Sequence, residues 1–268
     1  MSTVENSGAG HGAPLVFITG ASSGIGQALA ARYAHAGWRL ALVARRTSEV
    51  QAWAMAQGLA AERWVVYSAD VAVPDSVIAA GLACIARQGL PEVVIASAGI
   101  SVGMDTAHRS DIGVMSDTFA TNNTGLAATF HPFVEGMRQR RSGTLVGIAS
   151  VAAIRGLPGH GAYCASKAAV VAYCESLRIE NRKHGLRVVT LLPGWIATPL
   201  TARNPYPMPF LMSAQDFAQQ AYQAISTGVS YRVIPWQMAV VVKLLRLLPN
   251  PVFDRLFKGR GRKPRRAP

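Results

Sequence analysis

The stretch LVFITGASSGIGQALAARYAH, residues 15–35, decides the fold. Residues 15–19 are apolar or β-branched and read as a strand buried on both faces. The turn Thr19-Gly20-Ala21-Ser22-Ser23-Gly24-Ile25-Gly26 follows at once, and an Ala-rich helix runs on to about His35. Glycines here let backbone amides approach a pyrophosphate, whose charge a helix N-terminus favours. The same glycines would serve a plain tight turn. Their place directly after the first strand favours the anion cradle.

The pattern repeats outward from this unit. RLALVA (39–44), WVVYS (64–68), VVIAS (93–97), GTLVGIAS (143–150), RVVTLLP (187–193) and YRVI (231–234) read as further strands. Between them lie helices over 48–57, from Pro74 to about Gln88, along a long region ending near Arg140, from about Gly161 to His184, and over 214–225. Apolar strands alternating with helices predict an α/β fold. It is a single-domain, Rossmann-like, doubly wound parallel sheet with helices on both faces. The expected layout is a flexible N-terminus over 1–13, a catalytic domain over 14–234, and an apolar helix with a basic tail over 235–268.

Composition narrows the function. The chain has 268 residues, half of them hydrophobic and only 15% charged, which excludes disorder as the dominant state. Three scattered cysteines (Cys84, Cys164, Cys174) do not make a disulfide framework, and a reducing compartment is expected. Cys164 and Cys174 read as small buried hydrophobes. The start has no secretory pattern, and no apolar run reaches the roughly 20 residues of a spanning helix. The six histidines show no metal-ligand spacing, so no metal site is expected. His160 falls near the expected pocket rim. The net charge of +13 is concentrated at one end, with nine Lys or Arg against Asp254 over residues 243–266.

Three further residues carry chemistry. Tyr163 and Lys167 are four apart on a helix and share a face. A cation beside a phenol lowers its pKa from about 10, which suits proton exchange. Ser150 ends the fifth strand, at the sheet edge where ligands of open α/β folds bind. A coincidental surface pair and a helix cap are the plain readings of the same residues.

Together these residues resemble the short-chain dehydrogenase/reductase family. TGASSGIG, Asp70-Val71, Ala98-Gly99, Asn122-Asn-Thr-Gly125, Ser150, Tyr163-Cys-Ala-Ser-Lys167 and Pro193-Gly194-Trp-Ile196-Ala-Thr198 stand in family order. The resemblance implies an oxidoreductase that moves a hydride between nicotinamide and a carbonyl/secondary alcohol pair. It implies that Tyr163 is the general acid or base and that Lys167 holds the ribose and tunes the phenol. Ser150 would donate to the substrate oxygen, and Asn122 would hold a relay water. For the cofactor it implies Gly20, Ser22, Ser23, Gly24, Ile25 and Gly26 at the phosphates and Asp70 and Val71 at the adenine. Ala98 and Gly99 would line the cleft, with Pro193, Gly194, Ile196 and Thr198 at the nicotinamide end. One departure is Ala96-Ser97-Ala98-Gly99, where the family commonly has Asn-Asn-Ala-Gly.

An NAD enzyme of this kind places a carboxylate after the second strand, against the ribose. Here Ala44 is followed by Arg45 and Arg46, which favours NADP(H) over NAD(H). The loop 199–213 carries Tyr206, Met208, Phe210 and Met212 and is expected to cover a lipophilic substrate. The last forty residues loosely resemble the hydroxysteroid-dehydrogenase-like and membrane-associated reductases. They suit a peripheral membrane contact through 235–268. They equally suit a helix covering the pocket, or a dimer contact ahead of a solvated end. The family implies a homodimer or homotetramer in the cytoplasm, and no motif supports nucleic-acid binding. Two rival functions remain open. One is a 3-oxoacyl reductase of lipid metabolism, and the other a non-catalytic dinucleotide-binding redox sensor or scaffold.

Overall fold

The computed structural model describes residues 12–202, 204–259 and 261–265. The expected flexible start over 1–13 falls outside the described residues except for Gly12 and Ala13.

The first half alternates strand and helix: β1 (Leu15–Thr19), α1 (Gly24–His35), β2 (Arg39–Ala44), α2 (Thr47–Ala56), β3 (Trp64–Ser68), α3 (Pro74–Gln88) and β4 (Val93–Ala96). After β4 the chain stays irregular until α4 (Asp111–Phe119). One π-helical turn, Ala120–Thr124, then joins α4 to α5 (Gly125–Arg140). The long helical region read from the sequence therefore begins later and bulges in its middle. β5 (Gly143–Ile148), α6 (Gly161–Asn181) and β6 (Leu186–Pro193) follow. Two short strands, β7 (Ile196–Ala197) and β8 (Met212–Ser213), pair with each other and clamp the base of the loop between them. The chain then forms α7 (Ala214–Ser226), β9 (Tyr231–Ile234), α8 (Trp236–Leu247) and α9 (Asn250–Phe257).

Seven strands make one parallel sheet in the order β3-β2-β1-β4-β5-β6-β9. Alternation along β1 shows the double winding. Leu15 and Phe17 join a core with Val77, Phe133 and Val170, from α3, α5 and α6. Val16 and Ile18 join the opposite core with Leu29, Val50 and Phe217, from α1, α2 and α7. Both faces of the strand are buried, so it reads as unbroken apolar sequence. Order reverses between β1 and β4, which opens a crevice at their carboxyl ends.

The C-terminal helices are part of the molecule rather than a separate appendage. Met238 and Val242 of α8 are buried in the α3/α5/α6 core. Arg155 donates to Leu245 O, Leu248 O and Asn250 Oδ1, and its guanidinium lies over the Phe253 ring. The sequence reading gave one apolar helix followed by a basic tail, whereas a second helix, α9, stands here with Pro251 in its first turn. Proline is well placed in a first turn. The outer face of α8 exposes Trp236, Val240, Leu244 and Leu247. No helix among the described residues is long and apolar enough to cross a membrane.

Candidate active site

The glycine turn is shaped by close approach. Gly20 has φ of +73°, and a Cβ there would lie 2.8 Å from Ala98 Cα. A Cβ on Gly26 would lie 2.3 Å from Gly20 O, so the start of α1 sits directly on the turn. Ser23 makes no side-chain cap, and the first turn of α1 carries no acid. Its amides are thus available to an outside anion.

This turn borders a cleft of about 250 Å³. Gly20, Ser22, Ser23, Gly24, Ile25, Gly26, Arg45, Arg46, Asp70, Val71, Ala98, Gly99 and Thr198 all line it. Pro193, Gly194 and Ile196 do not. Pro193 ends β6, Ile196 is buried, and Gly194 backs onto α8, where an added Cβ would meet Met238 at 2.9 Å. Arg46 donates to Ser22 Oγ at 3.0 Å and pairs with Glu49 at 3.0 Å. Arg45 stands 70% exposed at the cleft edge, 3.5 Å from Asp70. A glycine cradle, a free helix N-terminus and two guanidiniums beyond β2 fit a phosphorylated dinucleotide. The altered turn Ser97-Ala98-Gly99 still packs on Gly20, while the Ser97 hydroxyl is buried with no hydrogen-bond partner.

The four reaction residues, Tyr163 and Lys167 among them, do not line the cleft themselves, and Gly99 on its wall leads to two of them. Ser150 lies two residues beyond β5 and accepts from Ala152 N–H at 3.1 Å, capping a short 3₁₀ turn. Its hydroxyl also hydrogen-bonds Tyr163. Lys167 is buried, and Nζ donates to Ile148 O at 2.8 Å. Asn122 sits in the π turn with its side chain in use. Nδ2 donates to Ile100 O and Ser166 Oγ, and Oδ1 accepts from Ile100 N–H. One lone pair of Oδ1 is left for a water. Gly99 joins cleft and reaction residues, since a Cβ there would lie 3.2 Å from Asn122 Oδ1 and 3.4 Å from Lys167 Nζ.

Electrostatics departs from the sequence expectation. Burial pushes the Tyr163 phenol above its ordinary value, and the Ser150 hydrogen bond opposes that rise. The neighbouring cation does not reverse it, because Lys167 Nζ turns toward Ile148 O and lies 5.8 Å from the phenol ring centre. Burial also lowers Lys167 to about 8. The unfolded chain then holds this proton between about pH 8 and 10.5 where the folded chain does not. The buried ammonium costs stability in full below pH 8, and the cost fades as pH rises. Wild type is therefore expected to gain Tm relative to Lys167→Met across that window, and melting curves of both from pH 7 to 10.5 measure it. A Tm difference independent of pH would show that Lys167 titrates normally.

Beside the reaction residues lies an apolar cavity of about 630 Å³, lined by Val151, Leu157, Trp195, Met238, Leu245 and Phe257 among others. The 199–213 loop contributes Pro205, Tyr206, Pro207 and Pro209 to it, whereas Phe210 is half exposed. His160 is buried. Its Nδ1 faces Pro158 O at 2.9 Å, which makes Nδ1 the donor and leaves Nε2 to accept from Tyr206 Oη at 2.9 Å. Burial, with Tyr163 close by, pushes the Tyr206 phenol up to about 12. Sequence reading placed His160 and Tyr206 near the pocket but had no signal that they touch, 46 residues apart. Asp105, Asp111, Arg262, Lys263 and Arg265 were not singled out at all.

The chain is similar to known proteins in sequence and in fold. A family model described as short chain dehydrogenase matches residues 14–207. An uncharacterized oxidoreductase of Myxococcus xanthus is 39% identical over 240 residues, 88% of this chain and 93% of that protein. The dehydrogenase/reductase SDR family member 7B of Bos taurus is 30% identical, over 94% of this chain and 83% of its own length. In structure, the fold matches a short-chain dehydrogenase from Sphingobium yanoikuyae in complex with NADPH. The TM-score is 0.75 at 24% identity, covering 92% of this chain and 98% of that one.

Proposed function

The chain belongs to the short-chain dehydrogenase family, and from that premise we propose that it is an NADP(H)-dependent reductase of a lipophilic carbonyl compound, reversible toward the secondary alcohol. The observation that carries this is one juxtaposition. Gly99, which lines a cleft edged by Arg45 and Arg46, approaches Asn122 and Lys167, while Val151 and Ala152, directly after Ser150, line the apolar cavity.

NADPH, when bound along the cleft, supplies the hydride for the carbonyl carbon. Tyr163, kept protonated by burial, gives its proton to the carbonyl oxygen in reduction and takes it back in oxidation. Ser150 donates to the same oxygen as negative charge develops there. Lys167 keeps two donors beyond its bond to Ile148 O, and these would hold the ribose of a bound cofactor. Asn122 fixes the loop after β4 against α6. The cavity excludes water and takes the apolar body of the substrate, since the polar groups of Arg155, His160 and Tyr206 are paired within the protein.

The direct test is fluorescence titration with NADPH and NADH, with turnover on a panel of apolar ketones. Tight NADPH binding with turnover is expected, and binding of neither cofactor would overturn the assignment. Arg45→Asp puts a carboxylate where a 2′-phosphate would lie. The NADPH-over-NADH ratio of kcat/KM should fall roughly ten- to hundredfold. An unchanged ratio would show that Arg45 does not select the cofactor.

The proposal keeps the cytoplasmic location and the homodimer or homotetramer expected from the family. Tyr173 and Ile179, exposed on α6, support that helix as part of the contact between copies. The exposed apolar face of α8, flanked by Lys243 and Arg246, supports a peripheral membrane contact.

A further inference from the structure

The end of the described chain, residues 261–265, folds back as a strap across the site. Gly103 N–H donates to Pro264 O at 3.1 Å, and Gly103 bridges Arg265 in parallel register. Arg262 pairs with Asp105 at 2.9 Å. Arg265 grips Asp111 with two bonds, Nε to Oδ2 at 2.6 Å and Nη2 to Oδ1 at 3.0 Å. The Asp111 carboxylate is 5% exposed, and the guanidinium holds it down at about 2. The strap stays anchored across the ordinary pH range.

Between these two arginines stands Lys263, half-buried. Each arginine has a carboxylate, but among the described residues Lys263 has no ion-pair partner. Its ammonium donates to Leu200 O at 3.3 Å. An ammonium carries three donors, so two remain. Their location is informative. Leu200 lines the dinucleotide cleft, while His160, close enough to feel the Lys263 charge, lines the apolar cavity. Tyr206 bridges onward from His160 toward Tyr163. Lys263 lines neither space itself, but it touches a residue of the cleft and lies near one of the cavity, and a half-buried cation with donors to spare suits an anion brought in from outside.

We propose that Lys263 reads a carboxylate on the substrate, so that the strap selects an oxo acid whose apolar body fills the cavity and whose carbonyl meets Tyr163. This rests on the reductase reading above. The strap arginines serve as anchors and Lys263 as the specificity residue.

The test compares a neutral apolar ketone with its carboxylate-bearing counterpart, using wild type, Lys263→Met and Lys263→Arg, with NADPH affinity measured for each. Wild type should favour the oxo acid. The ratio of kcat/KM for acid over neutral ketone should fall roughly ten- to hundredfold in Lys263→Met, mainly through KM, and recover largely in Lys263→Arg. Turnover of both ketones with the same ratio in wild type and Lys263→Met overturns the proposal and leaves the reductase reading standing. Weakened NADPH binding in Lys263→Met with that ratio unchanged assigns the ammonium to a cofactor phosphate, and also overturns it. Failure of wild type to reduce either ketone overturns the reductase reading and this inference with it.

Discussion

Tyr163→Phe should turn over roughly 10²- to 10⁴-fold more slowly than wild type, with NADPH affinity nearly unchanged. The variant keeps the ring on α6 and removes the phenol oxygen to which the proposal gives the proton exchange with the substrate. The lost term is therefore proton transfer, not packing or cofactor binding. Ser150 keeps its place, accepting from Ala152 N–H, and its proposed donation to the substrate oxygen would leave slow residual turnover. Single-turnover measurements separate the chemical step from release. Slowing of less than tenfold would remove the phenol from the reaction. Since burial raises the Tyr163 pKa, wild-type reduction should hold level through neutral pH and oxidation should quicken as pH rises.

The second large effect is expected at Gly26. In Gly26→Ala the new carbon would stand 2.3 Å from Gly20 O and 2.7 Å from Gly20 C. Both are backbone atoms, so no side-chain rotation relieves the contact. The turn must open, at an overpacking cost of about 1–3 kcal/mol, and the opening falls on the amides that face the pyrophosphate. NADPH affinity should drop roughly ten- to hundredfold, together with Tm. Gly113→Ala is the control, because nothing lies within 4 Å of a carbon added there. Fluorescence titration and melting curves read both variants. Wild-type affinity in Gly26→Ala would show that the turn is not the cradle.

The elements that local pattern specifies were legible. β1 reads correctly because both its faces are buried, and α1 because Gly20, Gly24 and Gly26 mark its start. Tyr163 and Lys167 share a face because four residues make about one helical turn. What depends on distant contact was not legible. Arg265 meets Asp111 across 154 residues, and nothing in either neighbourhood announces the other. The tail therefore read as loose charge suited to lipid or solvent, although two of its arginines are matched within the protein. The phenol's electrostatics was misread for a related reason. Spacing shows that Lys167 is near, but not that Ile148 O draws its ammonium away while burial dominates.

The two anchors of the strap differ in how far dissolved ions can reach them. Arg262 and Asp105 are 61% and 30% exposed, while Arg265 and Asp111 are 36% and 5% exposed. Dissolved ions screen exposed charges over about 8 Å at physiological strength and reach sheltered ones far less. Rising salt should therefore weaken the Arg262–Asp105 pair well before the Arg265–Asp111 pair. Ionic strength would thus set how firmly the neighbourhood of Lys263 is fixed while the far tie stays made.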